Sequence, residues 1–154
     1  MARPEIDEAD RGLVEAIRSG PVWRERDDLL RSIPGVGPQV SRALLAAIPE
    51  LGALSGGQVA APAGLAPFAD DSGARRGGRH VRGGRSDVRR ASYLAALAAR
   101  RHCLPPRQFA DRLAARGKKA KVVLVAVARK LLVIANAILR SKEPFRPELA
   151  AAKA

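Results

Sequence analysis

The stretch LLRSIPGVGPQVSRALLAAI, residues 29–48, decides the fold. Leu29 and Leu30 end one apolar segment, and Val40, Ala43, Leu44, Leu45 and Ile48 carry another at helical spacing. Between them, Ile33-Pro34-Gly35-Val36-Gly37-Pro38 cannot continue a helix, because proline lacks a donor and drives its predecessor out of the α region. The spacing predicts two short helices joined by a hairpin, a helix-hairpin-helix over residues 29–49. In such a hairpin the glycines let the backbone approach a phosphate, and the amides opening the next helix face it. Gly35 and Gly37 are therefore candidate nucleic-acid contacts. The same residues also suit an ordinary turn between helices, with glycine supplying positive φ and Pro38 starting the next helix.

Toward the N-terminus, Leu13, Val14 and Ile17 predict a helix interrupted at Ser19-Gly20-Pro21. A second helix is expected from Val22 to Ser32, with Trp23, Leu29 and Leu30 facing inward. Residues 1–12, acidic at their start, are expected to form a flexible segment. Past the hairpin come turns at Pro49–Gly52 and Ser55–Gly57, a short helical start at Gln58–Ala61 stopped by Pro62, and a tight apolar turn at Gly64–Pro67. Residues 70–85 then read as an irregular Gly/Arg-rich loop or a short hairpin, since Arg75 to Arg90 has almost nothing apolar to bury.

Helical spacing returns at Ser86, a good N-cap, with Asp87 placed for the helix dipole. Tyr93, Leu94 and Leu97 are expected as its buried stripe, and Pro105-Pro106 end it. Phe109 and Leu113 mark another short helix, terminated by Gly117. A last long helix from about Lys118 to Ser141 shows a wide apolar face of Val122, Leu124, Val125, Ala128, Leu131, Leu132, Ala135, Ile138 and Leu139. Residues 13–143 thus read as one helical domain and residues 144–154 as a tail. The expected fold class is all-α.

Composition agrees. A chain of 154 residues is one domain's worth. With 47% hydrophobic residues but 3% aromatics, its core must be Leu, Val, Ile and Ala, which favours packed helices. Lys and Arg total 28 against 15 Asp and Glu, a formal charge of +13, so the expected partner is a phosphate backbone, ahead of an anionic membrane surface. No apolar run reaches the roughly 20 residues that span a bilayer. Arg3, Pro4, Glu5 and Asp7 stand where a signal peptide would be apolar. No membrane partner and a cytoplasmic location are the expectations. The single Cys103 excludes an internal disulfide and a cysteine zinc cluster, and is expected to be a small buried residue.

Taken in order, LLRSIPGVGP, AGLAP, DSG, RHVRGGRSDVRRASYLAALAA and RLAARGKKAKVVLVAVARKLLVIANAIL form a series. It resembles the C-terminal half of the serine-using insertion-sequence transposases of family one-ten, related to the pilin-inversion recombinases. The resemblance covers nearly everything from Leu13 to Glu143. It implies a helical transposase domain whose serine attacks DNA and forms a phosphoserine link, with a structured guide RNA directing the target. The family's other part, a RuvC-like domain with an acidic tetrad, has no counterpart here. The chain is thus expected to be truncated and to bind nucleic acid without cutting it. No metal site or cofactor is expected in this chain, Mg²⁺ belonging with the acidic domain.

By that resemblance Ser72, in Asp-Ser-Gly, is the candidate nucleophile, with Ser86 and Ser92 as alternatives. A serine hydroxyl needs a base, a metal or positive charge to act at neutral pH, and Arg75 and Arg76 follow at once. From the residues alone, Ser72 also suits a plain turn after Asp71, Ser86 a cap and Ser92 helix packing. Asp70 and Asp71 read as solvated loop acids better than as metal ligands. Arg75, Arg76, Arg79, Arg82, Arg85, Arg89 and Arg90 are the candidate nucleic-acid contacts, and Lys118, Lys119, Lys121, Arg129 and Lys130 form a second basic set. His80 and His102 have no supporting residues. Two functions remain in view: part of a transposase for serine-dependent strand exchange, with DNA, a guide RNA and a second copy of the chain as partners, or a non-enzymatic helix-hairpin-helix module.

Overall fold

A computed structural model describes residues 4–65, 67–68, 71–72, 75–76, 80–81 and 86–148. Among these residues, six helices make the body: α1 (Pro4–Ser19), α2 (Pro21–Arg31), α3 (Pro38–Ala47), α4 (Ser86–His102), α5 (Leu104–Ala115) and α6 (Ala120–Ser141). Four two-residue strands lie between α3 and α4: β1 (Pro67–Phe68), β2 (Asp71–Ser72), β3 (Arg75–Arg76) and β4 (His80–Val81). The all-helical class holds, and the Gly/Arg-rich segment contributes short antiparallel ladders. Prolines set several starts: Pro21 and Pro38 open α2 and α3, and Pro105-Pro106 sit in the first turn of α5, where the amide they lack has no helical partner anyway. α1 begins at Pro4, inside the segment expected to be flexible, because that proline precedes carboxylates suited to a helix N-terminus.

The core is aliphatic. Leu30, Ile33, Ile48, Leu51, Val59, Leu65, Val88, Val123, Val127 and Leu132 are fully buried, each worth about 1.5–3 kcal/mol over an exposed side chain. α4 is the central element, packing on α3, α5 and α6, while α2 joins α1, α3 and α6. The loop between α3 and the strands is a run of turns and not the short helix expected at Gln58–Ala61, although Val59, Ala60 and Ala63 from it are buried. Asn136 of α6 ties this loop down: its Oδ1 accepts from the Gly52 amide at 2.8 Å and its Nδ2 donates to the Leu54 carbonyl at 2.7 Å. A buried amide with both ends satisfied avoids the desolvation cost of an orphaned polar group.

Four side-chain expectations are corrected. Trp23 is 42% exposed, resting beside Gly20 with Arg26 over its ring, while Leu30, also expected inward, is the buried residue of α2. Leu94 and Leu97 are 57% and 44% exposed. The buried stripe of α4 is Val88, Ser92, Ala95, Ala96 and Ala99, because neighbours approach this face too closely for leucine. Val122 likewise points outward while Val123 and Val127 face the core. α6 also revises the hydropathy expectation: its 22 residues have a mean hydropathy of 2.2 over their most apolar window, enough by length and composition to cross a bilayer. Half of that window is buried inside the protein.

Candidate nucleic-acid interface

The hairpin between α2 and α3 is held by local hydrogen bonds, Ile33 N–H to the Leu30 carbonyl at 3.1 Å and Val36 N–H to the Ile33 carbonyl at 3.0 Å. Ser41 of α3 donates to Asp27 of α2 at 2.6 Å and fixes the two helices together. The two glycines, alike in sequence, have different surroundings. Gly35 adopts φ +92° and lies on α4: a Cβ there would stand 2.5 Å from the Ala95 carbonyl oxygen and 2.7 Å from the Ala99 nitrogen. Its close approach is to protein backbone. Gly37 caps α3 in an extended conformation, and a Cβ on it would meet nothing within 4 Å. Gly37, with exposed Pro38 and Gln39, is the part of the hairpin open to a ligand.

The Gly/Arg-rich segment is paired in two ladders. Pro67 and Phe68 register with Val81 and His80, and within that span Asp71 and Ser72 register with Arg76 and Arg75. The backbone therefore sets the candidate nucleophile opposite an arginine, across a connection of two residues. Arg79, Arg82, Arg85 and Asp70 lie outside the described residues. The segment leads into α4 at Ser86, where Ser86 and Arg90 are exposed and Arg89 is half-buried. Among the described residues, the hairpin's contact on α4 lies away from the end where the segment enters that helix. Gly35 meets α4 at Ala95 and Ala99, which at 1.5 Å per residue is roughly 14–20 Å along the helix from Ser86.

Ser92 is 3% exposed on the core side of α4, and its Oγ has no hydrogen-bond partner. A nucleophile must reach a phosphorus atom, which this burial prevents. Among the described residues no three His, Cys, Asp or Glu side chains gather as a metal site. Cys103 is buried, which pushes its thiol above the usual range and away from reactivity. Lys130 lies with its Nζ 4.5 Å from the centre of the Phe109 ring. Burial, and then the charge of Arg112, hold its ammonium below the usual lysine range. A groove of about 520 Å³ between α6 and the chain after it is lined by Val133, Ala137, Pro144 and Phe145 among others, and of the candidate residues only Lys130 of the second basic set borders it.

Periodicity had no way to show which hairpin glycine is occupied, since that depends on where α4 passes. It also gave no weight to Arg42 of α3, half-buried with its Nε unpaired.

Residues 27–112 match the family described as "Transposase IS116/IS110/IS902 family". The chain is similar to the pilin gene-inverting protein of Moraxella bovis, 32% identical over 144 residues, covering 91% of this chain and 45% of that protein. It is similar to the insertion element IS110 uncharacterized 43.6 kDa protein of Streptomyces coelicolor, 34% identical over 131 residues, covering 80% and 32%. Against the insertion element IS900 uncharacterized 42 kDa protein of Mycobacterium paratuberculosis it is 33% identical over 154 residues, covering 97% and 37%. The chain thus spans between about a third and a half of the length of these relatives.

Proposed function

The chain belongs to the IS116/IS110/IS902 transposase family, and from that premise we propose that it is the DNA-binding C-terminal part of a recombining protein. In this reading Ser72 is the residue through which strand exchange proceeds. The observation that carries the reading is the register of Ser72 opposite Arg75, with Asp71 opposite Arg76, in the most cationic segment of a chain of charge +13. The chemistry follows from that setting. The Ser72 oxygen attacks a backbone phosphorus and loses its proton, a new oxygen–phosphorus bond forms, and the bond to the departing sugar oxygen breaks as that oxygen takes up a proton. The nucleophile is weak and the pentacoordinate phosphorus carries extra negative charge, so guanidinium groups beside it lower the barrier.

Arg75, Arg76, Arg79, Arg82, Arg85, Arg89 and Arg90 are assigned to the phosphate backbone, with Gly37 and the start of α3 as a further contact. Gly35 is reassigned from ligand contact to packing, and this weakens the alternative of a stand-alone helix-hairpin-helix module. A guide RNA and a second copy of the chain belong to the same reading as partners, and a cytoplasmic location goes with it.

The test is a covalent-adduct assay on labelled duplex DNA, with the chain and its Ser72→Ala variant each measured alone and after adding the RuvC-like half of a family member. We expect binding without adduct from either chain alone, and an adduct from the unmodified chain alone of the two when the acidic half is supplied. An adduct that persists in Ser72→Ala assigns the chemistry elsewhere. No adduct under any condition leaves the non-enzymatic module as the better account.

A further inference from the structure

The corner where α5 meets α6 concentrates charge that no ion pair among the described residues uses. Between residues 112 and 121 stand Arg112, Arg116, Lys118, Lys119 and Lys121, all exposed, with Asp111 as the adjacent carboxylate. Among the described residues the ion pairs are Arg31–Asp27 and Arg146–Glu143, so no cation of this corner is neutralised there. Its shape is well defined. Gly117, at φ +78°, closes α5: its N–H donates to the Ala114 carbonyl at 2.9 Å and the Lys118 N–H donates to the Leu113 carbonyl at 3.2 Å. That pair of bonds is a Schellman motif, and the position after its glycine usually holds an apolar residue packed back on the helix. Here it holds exposed Lys118.

Local stability would favour other residues at several of these positions. The first turn of α6 carries Lys121 and no carboxylate, although an acid would suit the helix dipole there. Arg112 lies near enough to Lys130 to lower its affinity for a proton, a sign of like charges gathered without a counter-charge. A surface that keeps five cations together on a defined turn, against dipole and mutual repulsion, fits a partner with regularly spaced anions.

Resting on the reading that this chain binds nucleic acid, we propose that the α5–α6 corner is a second backbone-contacting surface, in which Arg116, Lys118, Lys119 and Lys121 bind successive phosphodiesters, separately from the segment that carries Ser72. Its chemistry is that of ammonium and guanidinium groups on phosphates, without base reading, so duplex DNA and structured RNA are both admissible sources of the phosphates.

The experiment compares the full chain with a Lys118→Gln/Lys119→Gln/Lys121→Gln variant, by fluorescence anisotropy against a duplex DNA and an RNA hairpin across a salt series. Circular dichroism checks that the helices remain. If all three lysines touch duplex phosphates, the slope of log affinity against log salt flattens by about 2.7, from roughly 0.9 per contact. The same three positions changed to Arg retain the slope. Should the triple variant fail to fold, Lys119→Gln alone is expected to flatten it by about 0.9. Flattening with DNA, with RNA or with both supports the proposal and identifies the source of the phosphates. Unchanged slopes on both overturn it, as does a loss confined to phosphatidylserine vesicles. An Arg75→Gln/Arg76→Gln variant run in parallel separates the two levels: if it alone weakens binding, the corner fails and the proposed function stands. If the unmodified chain binds neither probe, both fail.

Discussion

Among the described residues, two direct helix-to-helix turns rest on a glycine of positive φ, at Gly35 and Gly117, and the two are opposites. At the α2–α3 hairpin, Gly35 at φ +92° is pressed onto α4, with the space for a side chain already filled by the backbone of Ala95 and Ala99. At the α5–α6 corner, Gly117 at φ +78° has nothing within 4 Å of where a Cβ would be. The first turn lies among Leu30, Ile33, Val36 and the alanine stripe of α4, and joins the hairpin to the core. The second reverses the chain in solvent under five exposed cations. Glycine between two helices is one signal with two uses. Only the neighbouring element distinguishes a residue needed for packing from one needed for direction.

Gly35→Ala is the severest test of that contrast. It combines a strained φ with contacts below 3 Å to backbone that cannot move alone, so about 3–5 kcal/mol of stability should be lost. For a chain of this size that is a fall in Tm of roughly 6–20 °C by calorimetry. A change under about 2 °C would mean that the hairpin does not rest on α4. Gly117→Ala meets strain without a clash, and its cost is expected near 1 kcal/mol, or roughly 2–4 °C. If it proved as damaging as Gly35→Ala, the corner would be a packed joint and the contrast would collapse.

Much of the fold was legible beforehand, because its boundaries are written in proline and glycine. Pro21 and Pro38 open helices, Gly117 ends one, and the hairpin at residues 33–38 falls where its residues predict, whereas Pro105-Pro106, expected to end α4, open α5. What periodicity misjudged was which apolar residues are inside. Leu94 and Leu97 outweigh alanine in hydrophobicity, yet Ala95, Ala96 and Ala99 take the buried face because Gly35 and its turn sit directly on α4. Burial there is decided by size, and size matters only once the neighbour is known. Ser92, by contrast, is buried as the helix-packing reading of its pattern expects, while Ser86 at the start of α4 is exposed. Of the candidate site, the residue types were readable and the spacing was not. That Gly35 and the start of α4 stand well apart, and that Ser72 registers with Arg75, follow from helix packing and strand register, which have no local signature here.

The smallest effect bears most directly on what the corner is for. Lys121 occupies the first turn of α6, where the helix dipole is positive and no carboxylate offsets it. Lys121→Glu should therefore stabilise the fold by about 0.3–1 kcal/mol at low ionic strength. The gain should fade in about 1 M salt, where the Debye length is near 3 Å. The same change should weaken nucleic-acid binding, because it replaces a cation with an anion on the proposed surface. The two readouts are expected to move in opposite directions, since a residue kept for binding can be poor for the helix that carries it. A loss of stability at low salt would show that Lys121 already has an anionic partner within the protein. A gain in stability with binding unaltered would leave the cations of this corner without the role assigned to them, and both glycine turns would then serve the fold alone.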